Sequence, residues 1–238
     1  YQRSRGLGDV YKRQLLIPEH YKILEFMVDE GYAKDCNLRY NSNGLELPDK
    51  LFKLWEHFKE VRFNFSIDAY GQRNDYIRYP SKWADIEKNL RKLDENTKDN
   101  TVINIACAIQ LLNVGYIDEL AEWKMDQGFS KINPSMFGGG IIGTHLVYLP
   151  SYLNVRVLPQ EAKEWAKQKI ETFIDRQKFN LEFNQHPYGA QRWKGLIKYM
   201  MAESWDNKLP ALQEYLKVTD ERRETDFRKT FPELGRYM

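Results

Sequence analysis

Cysteine is scarce in this chain. Its 238 residues include only Cys36 and Cys107, so the chain by itself supplies neither a disulfide framework nor the ligands of a zinc site or an iron–sulfur cluster. Histidine is rare as well, and its four copies do not pair at the spacing of metal ligands: His20, His57, His145 and His186. So few thiols are typical of a protein in a reducing compartment, and we expect the cytoplasm.

Long apolar runs and an excess of one charge are also missing. No run approaches the roughly 18 apolar residues of a membrane span. The 36 lysines and arginines face 34 acidic residues, for a net charge of +2. This balance gives no electrostatic reason to expect a polyanion. We therefore expect neither nucleic acid nor a membrane among the partners.

Two catalytic motifs are absent. The chain has no Gly-x-Ser-x-Gly elbow, which disfavours a serine hydrolase. Three consecutive glycines at 138–140 lack the Lys and Ser/Thr of a phosphate-binding P-loop, and they predict a flexible loop instead.

The first fourteen residues do not share the sequence patterns of the rest of the chain. Residues 4–14 read SRGLGDVYKRQ, which matches a sequencing-library transposon adapter translated in frame. A basic, glycine-containing arm is the alternative interpretation of this composition. We expect residues 1–14 to be a non-native leader, so that the protein's own sequence starts at Leu15 and its true N-terminus is lost.

Helical and strand patterns alternate after this leader. Apolar residues at helical spacing predict helices over 18–32, 48–58, 82–94 and 116–127, and β-rich segments predict strands over 37–41, 61–68, 102–111 and 131–136. Helices between the strands of one sheet imply parallel pairing through right-handed crossovers. The predicted fold class is therefore α/β, with about four parallel strands.

In each predicted strand only every second residue is apolar, so that one face of the strand is apolar and the other is not. Odd positions from 61 to 67 are apolar and even positions from 62 to 68 are polar, and the same alternation runs along 103–110. Strands covered on both faces are apolar on both parities. We expect helices on one face and a polar, ligand-holding lumen on the other, as in the curved sheet of a barrel. A half-exposed open sheet is the alternative.

Polar residues recur where the predicted strands end, which is where parallel α/β sheets bind their ligands. The set consists of Asn41, Asn43, Ser66, Asp68 and Asn133. Ser66 and Asp68 lie two residues apart on one face, an arrangement suited to holding hydroxyls, a carboxylate or an ammonium group. Arg78 is a candidate anion partner. Structural interpretations are the alternative. The Asn-Ser-Asn-Gly stretch at 41–44 suits a turn, Asp68 a loop cap or brace, Asn133 before Pro134 the start of a turn, and Arg78 a solvated position beside a helix.

The pattern changes in the last third of the chain. The segment 146–159 is rich in β-branched and aromatic residues but holds two prolines, which predicts an edge strand. Helices are predicted over 161–176, 189–203 and 209–216. We therefore divide the chain into a partial barrel at 15–158 and a helical extension at 159–238.

Three stretches carry a family resemblance. NLRYNSNG, VRFNFSIDAYGQRNDYIRYPSKWADIEKNL and the closing YLNVRVLP with DERRETDFRKTFPEL resemble the second half of a twitch domain-containing radical SAM protein. The likeness runs from Leu15 nearly to the C-terminus. In that family a GGEP motif precedes a double leucine and a helix like those at 15–18. The resemblance thus places the missing motif where the adapter-like leader ends.

The resemblance implies a partial (β/α) TIM-like barrel that binds S-adenosylmethionine (SAM). Such enzymes cleave SAM reductively at a 4Fe–4S cluster held by a CxxxCxxC loop, and a reductase supplies the electron. The substrate is unknown and is a peptide or a small molecule. This chain has no CxxxCxxC, so the resemblance implies a fragment that is inactive by itself, with no catalytic residue assigned.

The resemblance also implies roles for eight residues. Ser66 and Asp68 would contact the methionyl or ribose groups of SAM, and Arg78 its carboxylate. Side chains nearer the mouth and along the lumen complete the cofactor-binding set: Asn41, Asn43, Asn104, Gln110 and Asn133. The alternative is another α/β barrel enzyme, or a noncatalytic module that binds a small molecule.

Overall fold

The computed structural model describes residues 14–132, 141–180 and 189–238. The adapter-like leader, apart from its last residue, lies outside the described residues. So do Asn133, the glycines at 138–140 and His186.

Four strands and nine α-helices occur in the part of the chain that the structure describes. The strands are β1 (Asn37–Ser42), β2 (Glu60–Ser66), β3 (Thr101–Ile109) and β4 (Gly143–Leu146). The helices are α1 (Pro18–Asp29), α2 (Asp49–Trp55), α3 (Gln72–Ile77), α4 (Trp83–Asn96), α5 (Ile117–Asp126), α6 (Gln160–Arg176), α7 (Gly189–Met201), α8 (Leu209–Arg223) and α9 (Phe227–Thr230). None of these helices combines the length and the apolarity that crossing a membrane requires.

The strands form one sheet in the order β1-β2-β3-β4. β1 runs parallel to β2 in the register that pairs Asn41 with Asn64, and β3 runs parallel to β4. The prediction of an α/β fold with about four parallel strands is confirmed. Residues 133–136 of the strand predicted at 131–136 lie outside the described residues, and Ile132 forms one parallel bridge with Ile103. The described strand β4 at Gly143–Leu146 was not predicted.

The described chain divides into two compact units that do not follow its sequence order. Unit 1 contains residues 14–66, 84–105 and 128–132, and unit 2 contains 67–83, 106–127, 141–180 and 189–238. The division at 158/159 into a barrel and a helical extension stays a prediction.

The core of unit 1 follows the alternation in β2. Val61, Phe63 and Phe65 are fully buried, while the polar residues between them are half-buried. The predicted burial of the apolar parity is therefore confirmed. Helix α2 contributes Trp55, whose indole N–H donates to the Tyr40 hydroxyl at 3.2 Å. This bond satisfies a polar atom that would be costly to bury alone.

In unit 1, two side chains of α4 fasten the loop between β1 and α2. The Asn89 amide donates to the carbonyls of Gly44 and Leu45, at 2.7 and 3.0 Å. The Lys92 ammonium donates to the Leu47 carbonyl at 2.6 Å. The loop that follows β1 therefore has backbone partners although it lies outside any regular ladder.

In unit 2, Tyr116 links the segment before α5 to the C-terminal residues by hydrogen bonds. The Tyr116 hydroxyl donates to Glu233 at 3.0 Å and accepts from the Leu234 N–H at 3.1 Å. The guanidinium of Arg73 lies over the Tyr116 ring, 4.0 Å from its centroid. Burial raises the pKa of the Tyr116 hydroxyl, which stays protonated and keeps donating.

The edge strand predicted over 146–159 is wrong for most of that segment. β4 does occupy an edge of the sheet, but it ends at Leu146, and two 3-10 turns follow at Ser151–Leu153 and Val155–Val157. The buried Asn154 explains this, because its amide donates to the Val147 carbonyl and accepts from the Arg156 N–H. Side-chain bonds of this kind replace a strand ladder.

Three helices also differ from prediction. The short helices α3 and α9 were not expected, and α8 continues seven residues beyond the predicted end at 216, to Arg223. The other helices lie within a few residues of the predicted bounds.

Two glycines of unit 1 provide a test of how tightly the loop after β1 packs against Phe65 of β2. Gly44 and Gly31 both have positive φ, +61° and +74°. A Cβ on Gly44 would overlap the ring of the buried Phe65, whereas a Cβ on Gly31 would meet nothing within 4 Å. We expect Gly44→Ala to lower the free energy of unfolding by about 3 kcal/mol, from left-handed strain plus overpacking. Gly31→Ala should cost only the strain, about 1 kcal/mol. Urea unfolding of both variants measures this, and equal losses would contradict the packing of Phe65 against this loop.

Candidate functional site

A row of three asparagine side chains crosses the polar face of unit 1. The Asn64 amide N–H donates to the Asn41 side-chain oxygen at 2.8 Å, and the Asn104 amide N–H donates to the Asn64 oxygen at 3.3 Å. The row joins β1, β2 and β3. It forms because the parallel register sets Asn41 beside Asn64, so that their side chains leave the sheet on the same face.

The row ends at a buried acceptor atom of Asn104. Asn41 is exposed at one end, but Asn104 at the other is only 2% exposed. The Oδ1 atom of Asn104 has no hydrogen-bond partner among the described residues. A buried carbonyl oxygen without a donor is unusual and costly in a folded protein. The arrangement can accept a hydrogen bond from a ligand N–H or O–H at this atom.

The other predicted residues of unit 1 have different surroundings. Ser66 is the last residue of β2 and is half-buried. The Asn43 side chain accepts from the Leu45 N–H at 3.4 Å, and the Ser42 hydroxyl accepts from the Gly44 N–H at 3.1 Å. The structural interpretation of the 41–44 stretch, turn chemistry, is therefore confirmed for these two side chains.

Asp68 is the centre of a buried polar network in unit 2. The Ala108 N–H donates to its Oδ1 at 2.7 Å, and the Nε of Arg78 lies 2.8 Å from its Oδ2. Its own backbone N–H donates to the Asn74 side chain at 3.1 Å. Asp68 is 5% exposed. Both of its carboxylate oxygens are engaged, so Asp68 fastens the segment that follows β2 to the end of β3.

Asn113 completes this network, and the sequence patterns did not reveal it. Its amide donates to the carbonyls of Asp68 and Ala108, at 2.7 and 2.9 Å, and its oxygen accepts from the Gln110 N–H at 2.8 Å. An asparagine four residues beyond a strand end, just before a helix, is a typical turn signal that could have identified it.

Gln110 and Arg78 complete the predicted set in unit 2. Gln110 is 7% exposed, and its side-chain oxygen has no hydrogen-bond partner in the described parts of the chain. Arg78 pairs with Asp68 by charge, but its Nε–H is not aligned for a hydrogen bond. The structure thus brings Asp68 and Arg78 together, and their contact with a cofactor stays a prediction. Asn133 lies outside the described residues.

The two cysteines differ in burial. Cys107 is fully buried in unit 2, where its thiol donates to the Asp68 carbonyl at 3.5 Å. Burial, and secondarily the charge of Asp68, raises the pKa of this thiol well above its usual value. Cys36 is half-buried in unit 1. Within the described ranges, no group of three or more His, Cys, Asp or Glu side chains could hold a metal ion.

Comparison with known proteins adds no relative: no protein-family model, curated protein or solved structure matches the chain.

The Asp68 network yields a stability prediction. In Asp68→Asn the amide can still accept from the Ala108 N–H, but Arg78 loses its counter-charge in a largely buried setting. We expect a loss of about 3 kcal/mol in the free energy of unfolding at neutral pH, because breaking one side of a buried pair leaves the other uncompensated.

Asp99→Asn is the matched control. Asp99 pairs with Lys131 in unit 1, but its side chain is 95% exposed, so its removal should change stability little. Chemical unfolding followed by tryptophan fluorescence compares the two variants. Equal stability of Asp68→Asn and the parent protein would show that the network does not hold the end of β3.

Proposed function

We propose that this chain is the carboxyl-terminal part of a twitch-domain radical SAM enzyme, with its parallel strands forming part of a TIM-like partial barrel. The parent would cleave SAM reductively with a 4Fe–4S cluster to start radical chemistry on a peptide or small molecule. The fragment alone would be inactive. A cytoplasmic protein served by a reductase fits this chemistry.

The asparagine row is the observation that carries the proposal. Parallel sheets usually carry apolar side chains on both faces. A row of amide side chains on one face is therefore unusual, and a polar ligand bound there would explain it. The row offers both donors and acceptors, and it ends at the side-chain oxygen of Asn104, for which the described residues supply no donor. The resemblance of the 61–90 stretch to the radical SAM family supplies the chemical identity of the ligand.

The residues of this chain do not fit a 4Fe–4S cluster. Cluster ligation needs thiolates gathered around one site. The chain has only two cysteines, and one of them, Cys107, is buried, holds its proton and bonds the Asp68 carbonyl. In the proposal its ligands come from the CxxxCxxC half of the family, which this sequence does not contain.

The residues of unit 1 do fit a polar ligand such as SAM. The side-chain oxygen of Asn104 can accept from an amine or a hydroxyl, and the amides of Asn64 and Asn41 can orient neighbouring groups. When bound, SAM supplies the radical chemistry of this enzyme class. These side chains would bind and orient it. In unit 2, Asp68 and Arg78 form a charge pair, and the contact with SAM that the resemblance implies for them stays a prediction.

SAM binding tests the role of the row directly. We expect the chain to bind SAM in equilibrium dialysis and Asn104→Ala to weaken that binding roughly tenfold, since one well-placed hydrogen bond contributes about 1–1.5 kcal/mol. Asn37→Ala is the control, because Asn37 lies on the same parity of β1 but is exposed and outside the row. Equal SAM affinities for both variants, or no SAM binding by the unmutated 238-residue chain, would contradict the proposal.

Anaerobic reconstitution tests the parent activity. Treated with iron and sulfide, this chain should develop no cluster absorption near 400 nm. A longer version carrying the family's CxxxCxxC half upstream of Leu15 should bind a cluster and release 5′-deoxyadenosine when reduced with SAM present. A longer version that binds no cluster would end the radical SAM proposal.

A further inference from the structure

A cavity that is open to solvent is lined by described residues of unit 2. It has a volume of about 740 Å³ and lies at the carboxyl ends of β3 and β4, beside α7. Ile109, Leu146 and Leu196 form apolar walls, and the largely exposed Tyr148 stands at its edge. Ligand pockets typically measure about 300–1,000 Å³ and combine such walls with a few polar groups. The cavity therefore has the size and lining of a small-molecule site.

Gly195 lines this cavity from the interior of α7. Glycine destabilises a helix interior relative to alanine, so a glycine there needs a reason. Gly195 has no left-handed φ, and a Cβ built on it would meet no described atom within 4 Å. Neither backbone conformation nor close packing requires the glycine. What it provides is open space against the helix backbone, on the side of the cavity.

Arg192 supplies the charge of the cavity. It precedes Gly195 by three residues, so the two lie on the same face of α7. Its Nη1 donates to the Thr144 carbonyl of β4 at 3.0 Å, which holds the guanidinium at the cavity wall. Among the described residues no carboxylate pairs with Arg192, so its remaining N–H groups can serve an anion.

We propose that this cavity binds a small organic carboxylate with a flat apolar body. The guanidinium of Arg192 pairs with the carboxylate, and the body lies between the aliphatic walls and the backbone at Gly195. The ring of Tyr148 covers its outer side. This site does not depend on the radical SAM proposal, because it uses neither the asparagine row nor any residue assigned to SAM.

Fluorine NMR with 4-(trifluoromethyl)benzoate as the probe tests the site. We expect the parent chain to broaden and shift the probe signal. Arg192→Gln should weaken binding about tenfold or more, since it removes the charged partner of the carboxylate. Gly195→Leu should abolish binding, because its side chain would occupy the space against the helix backbone where the apolar body lies. The neutral 4-(trifluoromethyl)benzyl alcohol should bind at least tenfold more weakly than the carboxylate.

Matched controls come from the same helix. Lys194→Gln removes an exposed charge, and Lys198→Leu adds an exposed leucine, both outside the cavity lining. Both should bind the probe as the parent does. Gly195→Ala should raise the melting temperature by roughly 2–4 °C, which shows that the glycine is not kept for stability.

Three outcomes would overturn the proposal. One is a Gly195→Leu protein that binds the probe within twofold of the parent, and another is an alcohol that binds as tightly as the carboxylate. The third is an Arg192→Gln protein with unchanged affinity. Arg192 is exposed, so this variant should fold and keeps the test decisive even if Gly195→Leu does not.

Discussion

The alternation of side chains along β2 is the constraint on which unit 1 depends. Val61, Phe63 and Phe65 are removed from water completely, and the residues between them are not. Burial on this scale is the dominant favourable term in folding, so the register of the strand cannot slip by one residue without exposing the whole set. The same register places Asn64 beside Asn41. The core on one face therefore creates the row of amides on the other.

Buried polar groups in this protein fall into two kinds with different meanings. Asp68 and Asn113 have partners for their side-chain oxygens and hold strand ends and turns in place. Asn104 and Gln110 are as deeply buried, yet each has a side-chain oxygen without a described donor. Satisfied networks rigidify a fold, whereas unsatisfied atoms cost stability and call for another explanation. For Asn104 that explanation is the proposed ligand.

Two glycines differ in the same way: the fold requires a glycine at one position and does not require it at the other. Gly44 cannot carry a side chain, because its φ is positive and the ring of Phe65 occupies the place of a Cβ. Gly195 could carry one in its helix without a clash. Gly195 is not required for stability, and it lies on the wall of a cavity that Arg192 also lines. The small carboxylate proposed for this cavity explains why a glycine is kept there.

The sequence by itself determined the α/β class, the parallel strands and the buried parity, because these depend on local periodicity and on short connections between neighbouring elements. Only the tertiary structure decided that Asp68 pairs with Arg78, that Asn113 joins them, and that 146–159 folds into turns around Asn154. The residues in these contacts are not spaced at the regular intervals of a helix or a strand, so local sequence patterns do not predict that they meet. The cavity beside α7 likewise brings β3 and β4 together with a helix about fifty residues further on, and no local pattern encodes such a meeting.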